Sequence, residues 1–349
     1  MQQYGVLVVD DSSFMRRCIS LIIEKDPQFF IIGIARNGQD AVEKVKRLKP
    51  DIVTLDVEMP EMDGIEALRQ IMKVNPVPVV MLSNHTEEGA KTTIKALELG
   101  AVDFFLKTAL VGEDTEPRIE EAFLLSLKTI VQGAKVQAFE VAQSTEHIQT
   151  LKQENKVNPQ YDLLVIGCST GGPSALQSLL PRFALNISVP IIVIQHMPPG
   201  FTGPLAERFD TICNLHVKEA QNGDILEKGN IYIAPAGFQT YTERKKDGTV
   251  VIKIEESSPI ETLYKPSVNV TLLSTAQIYK ERLITVIMTG MGNDGLLGCK
   301  EVKRLKGRII VEAEESCIVY GMPKVVYEAG LADVQVPLPQ IYQQVMRFV

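Results

Sequence analysis

Asp10, Asp11, Asp56, Ser83 and Lys107 each stand at or just after the end of a short apolar run in the first third of the chain. Carboxylates gathered on one rim repel each other unless a hard cation sits among them, and Mg²⁺ is the natural partner for such an oxygen set. Mg²⁺ keeps several waters and takes a few carboxylates plus phosphate oxygens. It would leave Asp56 able to attack a phosphoryl group as a nucleophile, with Lys107 and Ser83 supplying charge and a hydrogen bond to the new phosphate. Each acid alone reads as a solvated loop residue. Agreement of position and residue type at four separate strand ends outweighs that reading.

A second set begins just before the midpoint. Gly167-Cys168-Ser169-Thr170-Gly171-Gly172 follows an apolar strand and precedes a helix opened by Pro173, a residue suited to the first helical turn. A Gly-x-Ser-x-Gly on a strand-to-helix turn can present a hydroxyl beside backbone N–H groups that favour an oxyanion. The rival, a dinucleotide-binding turn, needs glycine where Ser169 stands and an acid at the end of the next strand, which instead ends Gln195-His196. A serine nucleophile needs a base, and of four histidines His196 alone closes a buried-looking strand. His85 follows the fourth strand, His147 lies in a polar stretch, and His216 reads as a half-exposed strand position. Asp294, in the loop Thr289-Gly290-Met291-Gly292-Asn293-Asp294-Gly295, supplies the orienting acid, although an Asn-Asp-Gly aspartate can equally be a turn residue. The order Ser, His, Asp differs from those of the α/β-hydrolases, the chymotrypsin type and the subtilisin type, so a different scaffold is expected. Cys168 is the weaker nucleophile candidate, because a cysteine on the strand side of the turn lacks the exposure and positive surroundings that make a thiolate.

These residues need two scaffolds, and 349 residues suffice for two domains. Apolar residues at 45% and charged residues at 23% exclude a disordered or collagenous chain. Apolar runs at 6–9, 31–35, 52–55, 77–82 and 102–106, separated by helical lengths, predict a βα repeat on a parallel sheet with its crevice at the strands' carboxyl ends. An amphipathic helix is expected over 116–131. An interdomain linker over 132–160, rich in Gln, Lys, Glu, Ser and Asn, then divides a first domain of residues 1–131 from a second of residues 161–349. The second block is also α/β, with a helix at 174–180 and strands at 161–167, 189–195, 231–234, 250–254, 283–289 and 308–311.

The longest apolar runs are strand-sized, and Met1-Gln2-Gln3-Tyr4 opens no signal peptide, so a cytoplasmic protein is expected, with no direct membrane insertion. Five scattered cysteines without a Cys-x-x-Cys pair indicate neither disulfides nor zinc. Net charge −7 argues against a nucleic-acid partner, as a helix-turn-helix DNA-binding regulator would need a basic reading face.

Val8-Val9-Asp10-Asp11-Ser12, Leu55-Asp56-Val57-Glu58-Met59-Pro60, Asp63-Gly64, Ser83 and Lys107 make the first third resemble the receiver domain of two-component response regulators. The resemblance implies a flavodoxin-like five-stranded parallel sheet and phosphorylation of Asp56 by a partner histidine kinase. It also implies Mg²⁺ held by Asp11, Asp56 and the Glu58 carbonyl with Asp10 assisting, and Ser83 as the switch hydroxyl. Thr108 stands after Lys107, where receivers generally carry a proline.

The segments around Ser169, His196-Met197-Pro198-Pro199-Gly200, Val217-Lys218-Glu219-Ala220, Ile233-Ala234-Pro235, Lys265-Pro266-Ser267-Val268, 289–295 and Val319-Tyr320-Gly321-Met322-Pro323 make the remainder similar to the catalytic domain of chemotaxis protein-glutamate methylesterases. A doubly wound, mostly parallel α/β hydrolytic domain is then expected. It would hydrolyse glutamate γ-methyl esters on methyl-accepting chemotaxis receptors, releasing methanol, and deamidate receptor glutamines. In that scheme Ser169 attacks, His196 carries the proton, Asp294 holds the imidazolium, and Thr170 and the Met291 N–H line the oxyanion pocket. Hydrolysis would need no cofactor. Gln239, Asn269 and Glu312-Ala313 depart from the usual His, Asp and Gln-Asp, at positions expected to bear on substrate-loop contacts. The resemblance further implies that the receiver docks over the hydrolase site until Asp56 is phosphorylated. A non-catalytic, phosphorylation-dependent receptor-binding adaptor is the alternative.

Overall fold

A computed structural model of the chain describes residues 2–84, 86–111, 117–140, 161–185 and 187–349. It divides into two units, Met1–Lys135 and Val136–Val349.

The first unit alternates strand and helix: β1 (Tyr4–Val9), α1 (Ser13–Ile23), β2 (Phe29–Ala35), α2 (Gly38–Leu48), β3 (Ile52–Asp56), α3 (Gly64–Val74), β4 (Val79–Ser83), α4 (Glu87–Glu98), β5 (Asp103–Leu106), a single helical turn α5 (Lys107–Leu110) and α6 (Pro117–Glu140). All strand pairs are parallel, in the order β2-β1-β3-β4-β5, the expected doubly wound arrangement. β1, β3 and β4 are buried along their whole length, as the near-continuous apolar runs require of a sheet covered on both faces. Ser12, Asn37, Asp63 and Thr86 cap α1 to α4 through their side chains, each satisfying an N–H the helix cannot pair internally. The helix expected to stop at 131 continues through Glu140. The start of the anticipated linker is therefore helical, and its remainder, with His147, lies outside the described residues, as does His85.

The second unit contains β6 (Leu163–Cys168), α7 (Gly172–Leu179), β7 (Ile191–Gln195), α8 (Thr202–Ile212), β8 (His216–Glu219), β9 (Asn230–Ile233), β10 (Gln239–Arg244), β11 (Val250–Glu255), α9 (Val268–Tyr279), β12 (Leu283–Ile287), α10 (Leu296–Arg304), β13 (Arg308–Glu312), α11 (Met322–Glu328), β14 (Val334–Val336) and α12 (Leu338–Met346). Seven strands form one parallel sheet in the order β14-β13-β12-β6-β7-β9-β8. The chain leaves β6 toward β7 on one side and later returns to β12 on the other, so the switch point of the sheet lies at the carboxyl end of β6. Under it, Leu163, Val165, Ile192, Ile194, Leu283 and Ile287 pack with Leu272 and Ala276 of α9 in a core that excludes solvent. The strand expected at 250–254 lies outside this sheet, pairing antiparallel with β10 as a separate hairpin.

Candidate active sites

In the first unit the carboxyl ends of β1, β3 and β5 converge. Asp10 and Asp56 are buried and Asp11 is exposed, and one carboxylate oxygen from each lies within 4.8 Å of the others. Lys107, at the start of α5, places its ammonium 2.8 Å from Asp10 Oδ2 and 2.7 Å from Asp56 Oδ2. Thr108 after it therefore does not prevent the lysine from reaching both acids. Burial, reinforced by the charge of Asp10, outweighs the pull of Lys107 and raises the Asp56 pKa to about 6. Burial alone would lower the Lys107 pKa, but its contacts with Asp10 and Asp56 raise it. Glu58 is exposed, its N–H donates to Asp56 Oδ1 (3.3 Å), and its carboxylate accepts from Asn84. Gly64 permits the approach of α3, since a Cβ there would lie 2.0 Å from the Asp56 carbonyl oxygen. Ser83 is buried, with the hydroxyl of Thr93 on α4 2.9 Å from its own. Thr93 was not singled out from sequence, because a threonine in mid-helix carries no spacing signal.

In the second unit, Ser169 follows β6, His196 follows β7 and Asp294 lies in the loop after β12, three adjacent strands meeting at the switch point. His196 Nε2 lies 2.8 Å from Asp294 Oδ2, and the imidazole's other nitrogen, Nδ1, is buried with no partner among the described residues. Nδ1 is thus the atom left to receive a proton. Asp294 also accepts from the Ser267 hydroxyl (2.9 Å) and from the N–H groups of Val268 (2.7 Å), Asn269 (3.0 Å) and Gly295 (3.0 Å). Burial pushes its carboxyl up, but His196 and the Asn269 and Val268 N–H groups outweigh that and hold it below the usual carboxylate range. The N-terminus of α9, with Ser267 as its cap, thereby works as an anion site for the aspartate.

The Ser169 turn is tied to His196 through the side chain of Gln195. Gln195, buried at the end of β7, donates through Nε2 to the carbonyls of Ser169 (3.0 Å) and His196 (2.9 Å). Gly172 makes room for it, because a Cβ there would sit 2.0 Å from Gln195 Oε1. Ser169 is half-buried, and Gly290 packs directly against it. Among the described residues the N–H groups of Thr170 and Met291 have no acceptor, as oxyanion donors require, while the Thr170 carbonyl accepts from the Thr289 hydroxyl (2.9 Å). Cys168 is fully buried, and burial together with Glu312 raises its thiol well above the ordinary value, which disfavours the thiolate. His216 is exposed and paired with Asp210.

The three unusual positions make hydrogen bonds to the chain around the site. Gln239 is fully buried, accepting from the Ser267 N–H (2.9 Å) and donating to the Tyr264 carbonyl (2.7 Å). Asn269 Oδ1 accepts from the N–H groups of Gly295 (3.0 Å) and Gly298 (2.8 Å), capping α10. Glu312 accepts from the Thr289 N–H (2.8 Å) and the Ser316 hydroxyl (2.9 Å), and burial raises its pKa. Sequence reading missed Gln195, Tyr264 and Ser267. Only Ser267 left a usable trace, a cap residue ahead of an apolar helical run.

Two family models match the chain: CheB methylesterase over residues 164–345 and response regulator receiver domain over residues 6–113. A protein-glutamate methylesterase/protein-glutamine glutaminase of Oceanobacillus iheyensis is 42% identical over 98% of this chain and 97% of its own. One of the same description from Vibrio parahaemolyticus is 40% identical over 98% and 97%. The crystal structure of the Thermotoga maritima CheB methylesterase catalytic domain is 42% identical and covers 54% of this chain and 99% of that one, at a TM-score of 0.53. With whole-length relatives at 40–42% identity and both models matched in tandem, the chain belongs to the receiver-linked CheB methylesterase family.

Proposed function

We propose that this protein is a phosphorylation-regulated serine hydrolase that removes γ-methyl esters from glutamates of methyl-accepting chemotaxis receptors and converts receptor glutamines to glutamate. The observation that carries this reading is the Asp294–His196 pair, 2.8 Å apart, set at the switch point beside the Ser169 turn with Nδ1 unpartnered among the described residues. Ser169 Oγ attacks the ester carbonyl while its proton passes to His196 Nδ1, and Asp294 stabilises the imidazolium. The Thr170 and Met291 N–H groups receive the oxyanion. His196 returns the proton to the departing methoxide, giving methanol and an acyl-serine. Water, deprotonated by the same histidine, then releases glutamate. From a glutamine the leaving group is ammonia.

The receiver unit governs this activity through Asp56, phosphorylated by a histidine kinase. The buried Asp10 and Asp56 with exposed Asp11 form a hard oxygen set that fits Mg²⁺, with the Glu58 carbonyl as a further ligand. Mg²⁺ bound there would supply charge neutralisation for the incoming phosphoryl group. Lys107 is positioned to pair with the phosphate and Ser83 to hydrogen-bond it. A cytoplasmic location suits such a partner set, and among the described residues no helix is long and apolar enough to cross a membrane.

The test is methanol release from methylated receptor membranes by the intact protein and by Ser169→Ala, with and without a small-molecule phosphodonor and Mg²⁺. Release that needs Ser169 and rises with the phosphodonor is expected. No release under any condition would favour a receptor-binding adaptor.

A further inference from the structure

His196 has a second neighbour that the triad does not require. The Tyr264 ring lies face to face with the imidazole, centroids 4.2 Å apart and planes within 5°. A single hydrogen bond from Nε2 to Asp294 leaves the imidazole free to turn about that bond, since the torsion that rotates the ring is broad. A flat ring against its face removes that freedom and so fixes the direction of Nδ1.

Tyr264 is itself held. Gln239 Nε2 donates to its carbonyl (2.7 Å), Gln239 Oε1 accepts from the Ser267 N–H (2.9 Å), and the Ser267 hydroxyl donates to Asp294 (2.9 Å). His196, Tyr264, Gln239, Ser267 and Asp294 thus form a closed circuit. The far end of the tyrosine reaches the Met291-Gly292 turn, where a Cβ on Gly292 would stand 2.9 Å from its hydroxyl. A ring face also attracts a cation, so the stack grows stronger at the step in which the imidazole becomes charged. Burial and the charge of Asp294 hold the phenol in its neutral form.

We propose that Tyr264 is a positioning residue for the general base, its ring fixing the imidazole plane and favouring the imidazolium as Ser169 loses its proton, with Gln239 bracing it. The proposal rests on the hydrolase reading above and concerns the same site. Its test uses the intact chain and two readouts. One is the rate at which phenylmethanesulfonyl fluoride sulfonylates Ser169, a reaction in which the Oγ–S bond forms, fluoride leaves and the serine proton passes to the base. The other is methanol release resolved into kcat and KM.

Tyr264→Phe, which keeps the ring, should stay within about twofold of the unsubstituted chain in both. Tyr264→Leu, which keeps apolar bulk but no ring, should lose about tenfold in sulfonylation rate and kcat with KM unchanged, the scale of a partly buried cation–ring contact. Gln239→Ala should fall in the same direction, and Tyr264→Met serves where Tyr264→Leu does not fold. Wild-type rates in Tyr264→Leu, or equal losses in Tyr264→Phe and Tyr264→Leu, would overturn the proposal. Absence of Ser169-dependent labelling in the unsubstituted chain would overturn the base assignment and the proposal together. Intact labelling with the expected ranking but no methanol release would uphold the stack and fault only the choice of substrate.

Discussion

Asp56 ends a parallel strand of the first sheet and Asp294 lies in the loop beyond the carboxyl end of one in the second, each no more than 2% exposed. Their acidities are set in opposite directions. Asp56 meets Lys107, the like charge of Asp10 and one longer N–H contact from Glu58, and burial wins. Asp294 receives five hydrogen bonds, two from backbone N–H groups at the start of α9 and one from the Gly295 N–H ahead of α10, and burial loses. The contrast separates an acid whose charge is left under-compensated, ready for a cation and a phosphoryl group, from one whose charge is compensated permanently so that it can orient a histidine. Depth of burial alone decides neither.

The strongest way to break the contrast is to remove the charge from the compensated acid. Asp294→Asn should reduce Ser169-dependent methanol release by about 10³- to 10⁴-fold, because the amide cannot hold the imidazole in the working tautomer. The carboxyl of Asp294 is held below its unfolded value, so the stability it contributes is present above the ordinary carboxylate range and is lost as pH falls through it. Urea denaturation of the C-terminal unit should therefore show Asp294→Asn destabilised at pH 7, with the difference shrinking in acid. Undiminished activity would remove Asp294 from the mechanism.

The opposite substitution should have the opposite sign. The folded-state pKa of Asp56 lies at about 6, above its unfolded value. Ionising it therefore opposes folding, a cost absent in acid and fully present above pH 6. Asp56→Asn, which also ends phosphorylation, should stabilise the metal-free receiver unit at pH 7.5 by on the order of 1–3 kcal/mol, less whatever Lys107 loses as a partner. The gain should fade toward pH 4. A loss at pH 7.5 would mean that the Lys107 pair outweighs the burial.

The smallest effect sharpens the comparison within one unit. Glu312 is also buried with a raised pKa, burial outweighing the Thr289 N–H, the Ser316 hydroxyl and the Cys317 thiol that donate to it. Its ionisation, too, opposes folding as pH rises. Glu312→Gln keeps an acceptor for the Thr289 N–H and should raise the melting temperature at pH 8, by an amount equivalent to about 1 kcal/mol, but not at low pH. Equal effects at both values would point to packing instead of charge.

The residues proposed to carry the chemistry were legible as a set because they stand at strand ends, where an apolar run stopping at Asp, Ser or His marks a rim position directly. The first parallel sheet followed from the same runs, and so did the centre of the second, but its edge strand β14 did not. β10 was not legible: Gln239-Thr240-Tyr241-Thr242 is polar enough to pass for loop, and it becomes a strand only by pairing with β11 outside the main sheet. The roles of Gln239, Asn269 and Glu312 were hidden for a related reason. Each is polar and looks surface-bound in sequence, but tertiary folding supplies the backbone partners that make Gln239 and Glu312 tolerable inside and hold the half-buried Asn269. A tyrosine lying flat on a histidine 68 positions away in the chain, Tyr264 over His196, leaves no local pattern at all.

The sheet order of the second unit also has a consequence in time. β12 pairs with β6 only after β7 to β11 and α9 have intervened, so the strand beside the nucleophile turn and the loop carrying Asp294 arrive late in synthesis. Such non-local parallel pairing is slow to form, whereas the receiver is contiguous in the chain and can fold as a unit while the rest is still emerging. A ribosome-bound or truncated chain ending before Asp294 would carry its regulatory unit already formed and a serine without an acid behind its base. Hydrolytic competence is thereby withheld from nascent protein by the order in which the strands are made.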